Sequence, residues 1–381
     1  MLKSTTSLKK VKYNSNPRKD EFFRVLKERV YSYFKDNDIS PYANANMYFK
    51  TAFAVVSWAG IYALIMSNVL SSSLGLLVLA FTVLGFVNIF IAFNIMHDAN
   101  HFAYSKSKKV NKWMGLSMNF IGGNAYLFTQ MHNAHHAFVN IHGIDVTLES
   151  HGLFRFTPHE PWQPKHKWQH IYTPMIYALA MIHWVTIKDF KWFFFEHSIG
   201  NTKNIKHTPK ELMNLIFGKI TYFGLTLVLP LIFIEASAWW IVFAWINLHI
   251  LPSLTFALIF QVTHVYDGTH YPLPSDEGSI ENNYAIHVLE TTADFSRKRK
   301  VASWFMGGIN IHVIHHLFPQ ICHVHYAALT DIVEETAREH GLLYQENPSF
   351  WVALKKHMKI LHHLSAPEAE VPQYGPSAVY V

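Results

Sequence analysis

The chain has one cysteine, Cys322, in 381 residues. No internal disulfide can form, and cysteine-based metal or redox motifs are excluded. A reducing, cytoplasm-facing setting is compatible with this. Charge of either sign is absent from residues 51–96. That stretch is about twice the roughly 20 apolar residues needed to cross a bilayer core. A second stretch, residues 220–266, has Glu235 as its sole charge. The N-terminus lacks the apolar core and cleavage site of a secretory signal, because residues 1–50 are polar and basic. Internal repeats and low-complexity tracts are also missing. Mean hydropathy is only +0.09 although half of the residues are hydrophobic, so apolar blocks alternate with polar ones.

What is present organises around those blocks. Ser71 to Gly75 divides the first into spans at 51–70 and 75–96. Glu235 divides the second into spans at 220–234 and 238–262, which Pro230 and Pro252 are expected to kink. All 32 Lys and Arg lie in 1–50, 106–219 or 297–359, and neither short turn holds any. The positive-inside rule then puts both termini and the middle segment in the cytoplasm. The net charge of +6 reads as basic loops on an anionic membrane face rather than as a nucleic-acid surface. The apolar piece Trp113–Phe128 is too weak for a span. The piece Ile171–Ile187 is amphipathic and reads as a helix in the membrane interface.

The expected fold class is therefore all-α integral membrane, with four transmembrane helices and a cytosolic helical cap. The expected organisation is a basic cytosolic segment (1–50), spans one and two (51–96), and cap with interfacial helix (97–219). Spans three and four (220–264), more cap (265–366) and a disordered tail (367–381) complete it.

Three histidine clusters lie on the one cytoplasmic side: His97 with His101; His132 with His135 and His136; and His312 with His315 and His316. On a helix, residues three or four apart share a face. Adjacent residues diverge by about 100°, so the paired histidines of each triplet reach two different points. His264, at the cytoplasmic end of the last span, is a ninth candidate, because a histidine at that depth needs a partner. Histidine is common here, 26 in all, and any one cluster can arise by chance. Three on one membrane face do not. Imidazole suits zinc, copper, iron and nickel. A closed structural zinc site takes only four ligands, so nine fit two metals with open positions better. Neutral imidazoles leave the charge of two divalent ions uncompensated. Asp98, Asp145 and Asp267 are the candidate balancing carboxylates, with Asp98 and Asn100 expected to accept free N–H groups of the clustered histidines.

These residues resemble the integral-membrane fatty acid desaturase family, marked by boxes of pattern HxxxH, HxxHH and HxxHH. The similarity runs from about residue 50 to about residue 360 and is closest to the linoleoyl-CoA/front-end-like branch. It rests on His97 to His101, Met131 to His136, Trp168-Gln-His-Ile-Tyr-Thr-Pro174, and the run from His315 to Tyr326. The resemblance implies a non-haem di-iron centre, two Fe ions, held by His97, His101, His132, His135, His136, His264, His312, His315 and His316. It implies O2-dependent insertion of a cis double bond into a fatty acyl chain carried on coenzyme A, acyl carrier protein or a glycerolipid. No catalytic side chain is expected beyond the metal ligands. Three departures stand out. Position 312 is His where front-end relatives usually have Gln. Thr147 stands where many relatives have an acidic residue. A fused cytochrome b5 motif is missing, so electrons are expected from a separate ferredoxin or cytochrome b5 with its reductase. That last absence points to a bacterial inner membrane rather than endoplasmic reticulum.

Two other readings compete. A membrane di-iron hydroxylase of alkanes, sterols or carotenoids has similar boxes. A metal transporter places its ligands near the bilayer midplane, whereas eight of these nine histidines lie outside the apolar blocks.

Overall fold

The computed structural model describes residues 10–150 and 152–369. Most of the expected tail, 370–381, and the first nine residues lie outside the described residues. Eleven helices carry the architecture. They are α1 (Pro17–Asp36), α2 (Ala45–Met66), α3 (Leu74–Asn100), α4 (Ala125–Ala137), α5 (Gln169–His183), α6 (Pro209–Phe233), α7 (Ala238–His264), α8 (Tyr284–Thr291), α9 (His312–Leu317), α10 (Tyr326–Glu339) and α11 (Phe350–His363). Shorter helical pieces sit at Lys108–Gly115, Ser117–Phe120 and Lys300–Phe305. Among the described residues, the strands are two-residue parallel pairings: Lys12–Tyr13 with Ser279–Ile280, and Asp294–Phe295 with Glu346–Asn347.

Four helices, α2, α3, α6 and α7, are long and apolar enough to cross a membrane. Large apolar side chains such as Val56, Leu79, Phe217 and Ile232 face outward from them, as lipid contact requires. Their ends differ from the charge-free spans read in the sequence. The first begins at Ala45 and takes in Lys50. The third begins at Pro209 and takes in Lys219. Both lysines are buried and hydrogen-bonded, so a charge-free criterion cut these helices short. Each start has a local cause. Asn44 accepts from the Asn46 and Met47 N–H groups, Ser73 from Leu76, and Thr208 from Glu211, which satisfies otherwise orphaned donors.

The pair α3 and α7 forms the centre of the bundle. Pro252 removes the N–H that the Leu248 carbonyl would accept in a regular helix. That carbonyl lies against Gly85, where an added Cβ would sit 2.0 Å from its oxygen. A small residue is what lets the two backbones approach this closely.

The weak piece 113–128 is not a span. It breaks at Gly122, whose φ of +100° is open to glycine. The expected interfacial piece is α5, which continues through a π turn at Trp184–Lys188 into a short helix, Asp189–Phe194. It packs along α7 while Ile171, Met175 and Leu179 face outward. Trp239 and Trp240 are exposed near the turn that precedes α7. Trp245 instead is buried and donates to Thr226.

The cap is built from α1 and α8–α11. Phe22, Leu26, Val30 and Phe34 recur every four residues along α1 and bury against Leu329, Val333 and Ala337 of α10. The polar N-terminal segment is thus ordered by one apolar stripe on a charged helix.

Candidate metal centre

All nine sequence-predicted histidines converge, and each is buried. They fall into two sets. His97, His101, His132, His136 and His315 offer nitrogens within 4.8 Å of one another, and so do His135, His264, His312 and His316. The split follows from helical geometry. His132 and His136 share a face of α4, and His135 is rotated off it. In α9, His312 and His316 share a face, and His315 points to the other set. His97 and His101 close the end of α3 immediately after a π segment at Ala92–Met96. Such segments recur at functional sites. His264 is the last residue of α7.

The nitrogens in these sets lack ordinary partners. Nε2 of His97 faces Nε2 of His132 at 2.9 Å, and His135 and His316 face His264 at 3.2 and 3.1 Å. His101 Nε2, His315 Nε2 and both ring nitrogens of His312 have no hydrogen-bond partner. A buried polar atom without a partner costs about 1–3 kcal/mol, so a cluster of them is unstable as plain packing. A donor set of neutral imidazoles aimed at common points fits bound metal ions. Burial, with neighbouring imidazoles, pushes His101, His132, His136, His312, His315 and His316 well below the ordinary imidazole pKa. They are neutral and their lone pairs are available.

Several side chains orient the rings from behind. The His135 Nδ1–H donates to Asp145 at 3.0 Å. Asp145 also accepts from the Asn140 and Thr147 N–H groups and from the Thr147 hydroxyl. Burial raises the Asp145 carboxyl, but His135 and these donors outweigh it and hold the pKa below its usual value. His264 Nδ1 faces the Thr291 carbonyl at 3.3 Å, and His315 Nδ1 faces the Tyr326 hydroxyl at 3.3 Å. The α9 helix is pinned by Asp294, which accepts from the Val313 N–H at 2.9 Å and from the Tyr344 hydroxyl. Burial raises the Asp294 carboxyl to about 7.

Of the expected carboxylates, only Asp145 contacts a clustered histidine. Asp98 instead accepts from His323, through Nδ1 at 2.8 Å and the backbone N–H at 3.1 Å. It lies one residue from His97, so on a helix it points about 100° away. Asp267 pairs with Lys359 at 2.5 Å. Asn100 accepts from Thr129 rather than from a clustered ring.

An apolar cavity of about 40 Å³ reaches the first histidine set, with His97 in its wall beside Phe93, Met96, Phe128, Trp184 and Phe260. Apart from His97 its lining is apolar.

Comparison with known proteins identifies the family. The fatty acid desaturase family model matches residues 72–348. The chain belongs to the fatty acid desaturase family. It is 33% identical to an acyl-lipid (8-3)-desaturase of Physcomitrium patens, covering 92% of this chain and 72% of that one. It is 31% identical to sn-1 linoleoyl-lipid 6-desaturases of a Synechocystis species and of Arthrospira platensis. These alignments cover 89% and 90% of this chain and 94% and 92% of theirs. The protein is thus an O2-dependent membrane fatty acid desaturase, an oxidoreductase of lipid metabolism with histidine clusters that suit metal binding.

Sequence reasoning missed several contacts around these clusters. His323 bridges Asp98 to the buried Lys50, whose Nζ lies 2.7 Å from His323 Nε2. Asp98, Cys322 and His323 form a third compact group, but both His323 ring nitrogens are already engaged. The signal was weak, because Lys50 sits inside an apolar run and looks like its boundary. Asn140 was also missed. Its φ is +57°, and its side-chain amide donates to the His264 carbonyl at 2.9 Å and to Thr269 at 3.1 Å. An Asn in the loop just after a box is a turn signal, and its tie to α7 is not readable from spacing.

Proposed function

We propose that the nine histidines hold two iron ions in the five-ligand and four-ligand sets, and that the chain inserts a cis double bond into a fatty acyl chain whose reacting carbons lie at the apolar cavity beside His97. The observation that carries this reading is the partition of one converging cluster into two sets, with an apolar cavity opening on His97. When bound, the irons supply the O2-derived oxidising power that an unactivated methylene needs and no side chain provides.

The chain's own residues do the rest. Asp145, Thr291 and Tyr326 hold ring orientation through the nitrogens that face away from the clusters. Phe93, Phe128 and Phe260 exclude water from the reacting methylenes, and Met96 adapts to chain shape. Position matters because a displacement of about 1 Å can cost roughly a hundredfold in rate.

The acyl carrier is inferred to be a membrane glycerolipid, since the named relatives are acyl-lipid and linoleoyl-lipid desaturases. Their (8-3) and 6 positions support a front-end double bond here. Turning O2 into two waters while two hydrogens leave the lipid requires two further electrons and two protons. A separate ferredoxin or cytochrome b5 with its reductase is proposed to deliver the electrons. Both termini and the clusters face the cytoplasm in this reading, and the membrane is a bacterial inner membrane. Segment limits follow the sequence-based organisation, with the first and third spans extended to Ala45 and Pro209.

The test is the fatty-acid profile of a bacterial host expressing the chain with a ferredoxin and its reductase. The expected result is a new unsaturated acid that is absent with His315→Ala. Hydroxylated products would replace this reading with a hydroxylase.

A further inference from the structure

A short parallel strand pairing sets two outward-facing segments side by side. Asp294–Phe295 runs parallel to Glu346–Asn347, so the residues that follow each strand leave at the same end. Ser296 ties the two exits together. Its N–H donates to the Asn347 carbonyl at 3.0 Å, and its carbonyl accepts from the Arg299 N–H at 2.9 Å. Its hydroxyl accepts from the Phe350 N–H at 2.9 Å. The first exit is the basic run Lys298-Arg299-Lys300, which enters the short helix Lys300–Phe305. The second is the start of α11.

Both exits lie against the membrane-crossing helices. The Trp304 ring packs on Phe49 and Phe53 of α2 and on Phe90 of α3, at 6.2, 5.6 and 5.2 Å. Its Nε1–H donates to Asn46 at 2.9 Å. Met306, Phe350 and Leu354 pack on the cluster that holds Phe93 of α3 and Ile259 and Val262 of α7. The opposite sides face outward. Val301 and Phe305, four apart, share one face of the short helix and are 73% and 52% exposed. Trp351 is 74% exposed. Lys298, Arg299 and Lys300 are exposed as well. Among the described residues none of these three has an ion-pair partner, whereas Arg297 is taken by Glu334 and Glu346. Residues 298–330 and 347–367 contain no Asp or Glu, so nothing nearby in the chain neutralises the run.

We infer that this face rests on an anionic bilayer surface. Val301, Phe305 and Trp351 enter the headgroup boundary, and Lys298, Arg299 and Lys300 pair with phospholipid phosphates. Large apolar groups left in the open mark a contact surface. Aromatic rings and cations together are the composition of the membrane interface, and clustered cations draw anionic lipid. A lipid fits better than a protein because the patch continues the outward apolar surface of α2, where Tyr48 and Phe49 are exposed. The contact has a structural consequence. The Trp304 carbonyl accepts from Lys50 at 2.8 Å and the Phe305 carbonyl from Asn94 at 3.2 Å. Gly307 follows at φ +57°, where an added Cβ would lie 2.4 Å from the Phe93 carbonyl oxygen. Helix α9 then begins at His312. The membrane contact is therefore tied on one side to α3 and on the other to the third histidine cluster. It depends on the membrane-crossing helices and not on which product the enzyme makes.

The test uses the full-length protein in nanodiscs of phosphatidylcholine mixed with phosphatidylglycerol. Cys322, the sole native cysteine, is buried, so Val301→Cys and Phe305→Cys each take a nitroxide label at the new position. Glu28→Cys, on the charged face of α1, is the aqueous control. Collision with a water-soluble nickel chelate and with oxygen reports depth. The expected result is several-fold less nickel contact and more oxygen contact for Val301→Cys and Phe305→Cys than for Glu28→Cys. A variant with Lys298→Gln, Arg299→Gln and Lys300→Gln should retain several-fold less phosphatidylglycerol than wild type in native mass spectrometry, with phosphatidylcholine unchanged. Labels at both positions that meet nickel as freely as the control would overturn the assignment, as would equal phosphatidylglycerol retention. Labels that are shielded only when a ferredoxin is added would overturn it too, and would give the face to the electron donor.

Discussion

Two sets of buried histidines in this molecule can be set side by side, the clustered nine and three that are fully partnered. His249, His323 and His357 are as buried as the clustered nine, yet each has both ring nitrogens engaged. His249 meets the Tyr222 hydroxyl at 2.7 Å and the Trp245 carbonyl at 3.0 Å. His357 meets the Val265 carbonyl at 2.6 Å and the Tyr177 hydroxyl at 3.3 Å. Each of the clustered nine has at most one ring nitrogen engaged outside the clusters and offers another to the shared sets. Burial alone does not mark a ligand. Unmet hydrogen-bonding capacity at a common point does.

The largest expected difference is between the two populations under truncation. His315→Ala should lower product below detection and reduce bound metal, with the protein still embedded in the membrane. His357→Ala should keep both. Metal analysis of purified variants checks this, and full activity in His315→Ala would break the contrast.

Acid should separate the native and unfolded states next. Burial depresses six of the clustered histidines, so the unfolded chain binds more protons than the folded one below about pH 6.5. Stability rises with pH wherever the unfolded state binds more protons. It is therefore lost as pH falls through the ordinary imidazole range. Metal retention should fall with it, since ligands must be deprotonated. Thermal unfolding and metal content between pH 8 and pH 5 test the sign. Greater stability at pH 5 would contradict it.

A smaller effect is expected behind the rings. Asp145→Asn should weaken metal binding about 10–100-fold, with Thr147→Val below that, as read by competition with a chelator. Equal retention in Asp145→Asn would mean that His135 needs no orienting carboxylate. The smallest effect belongs to the partnered population. His357→Gln should cost about 1–3 kcal/mol of stability, seen as a lower unfolding midpoint, with metal content unchanged.

Much of the site was legible in the sequence because it is written in local periodicity. Spacings of three and four on α4 and α9 fix which histidines share a face, and the charge-free blocks mark the helices whose ends carry His97 and His264. His264 was legible through its depth. The supporting contacts were not, because they are long-range. Asp98 sits inside a box but is rotated away, toward a histidine 225 positions later. Asp267 follows the last span closely yet meets Lys359. Lys50 and Lys219 read as limits of apolar runs because the partners that make burial tolerable lie far along the chain. The packing of α1 on α10 was hidden for a similar reason: its apolar stripe is diluted among charges.

The central claim, two metals in a five-and-four partition, is tested most directly by iron stoichiometry after anaerobic reconstitution, with wild type beside His264→Ala. The account predicts two irons per chain in the wild type and about one in His264→Ala, lost from the set of His135, His264, His312 and His316. One iron in the wild type, or two retained in His264→Ala, would contradict it.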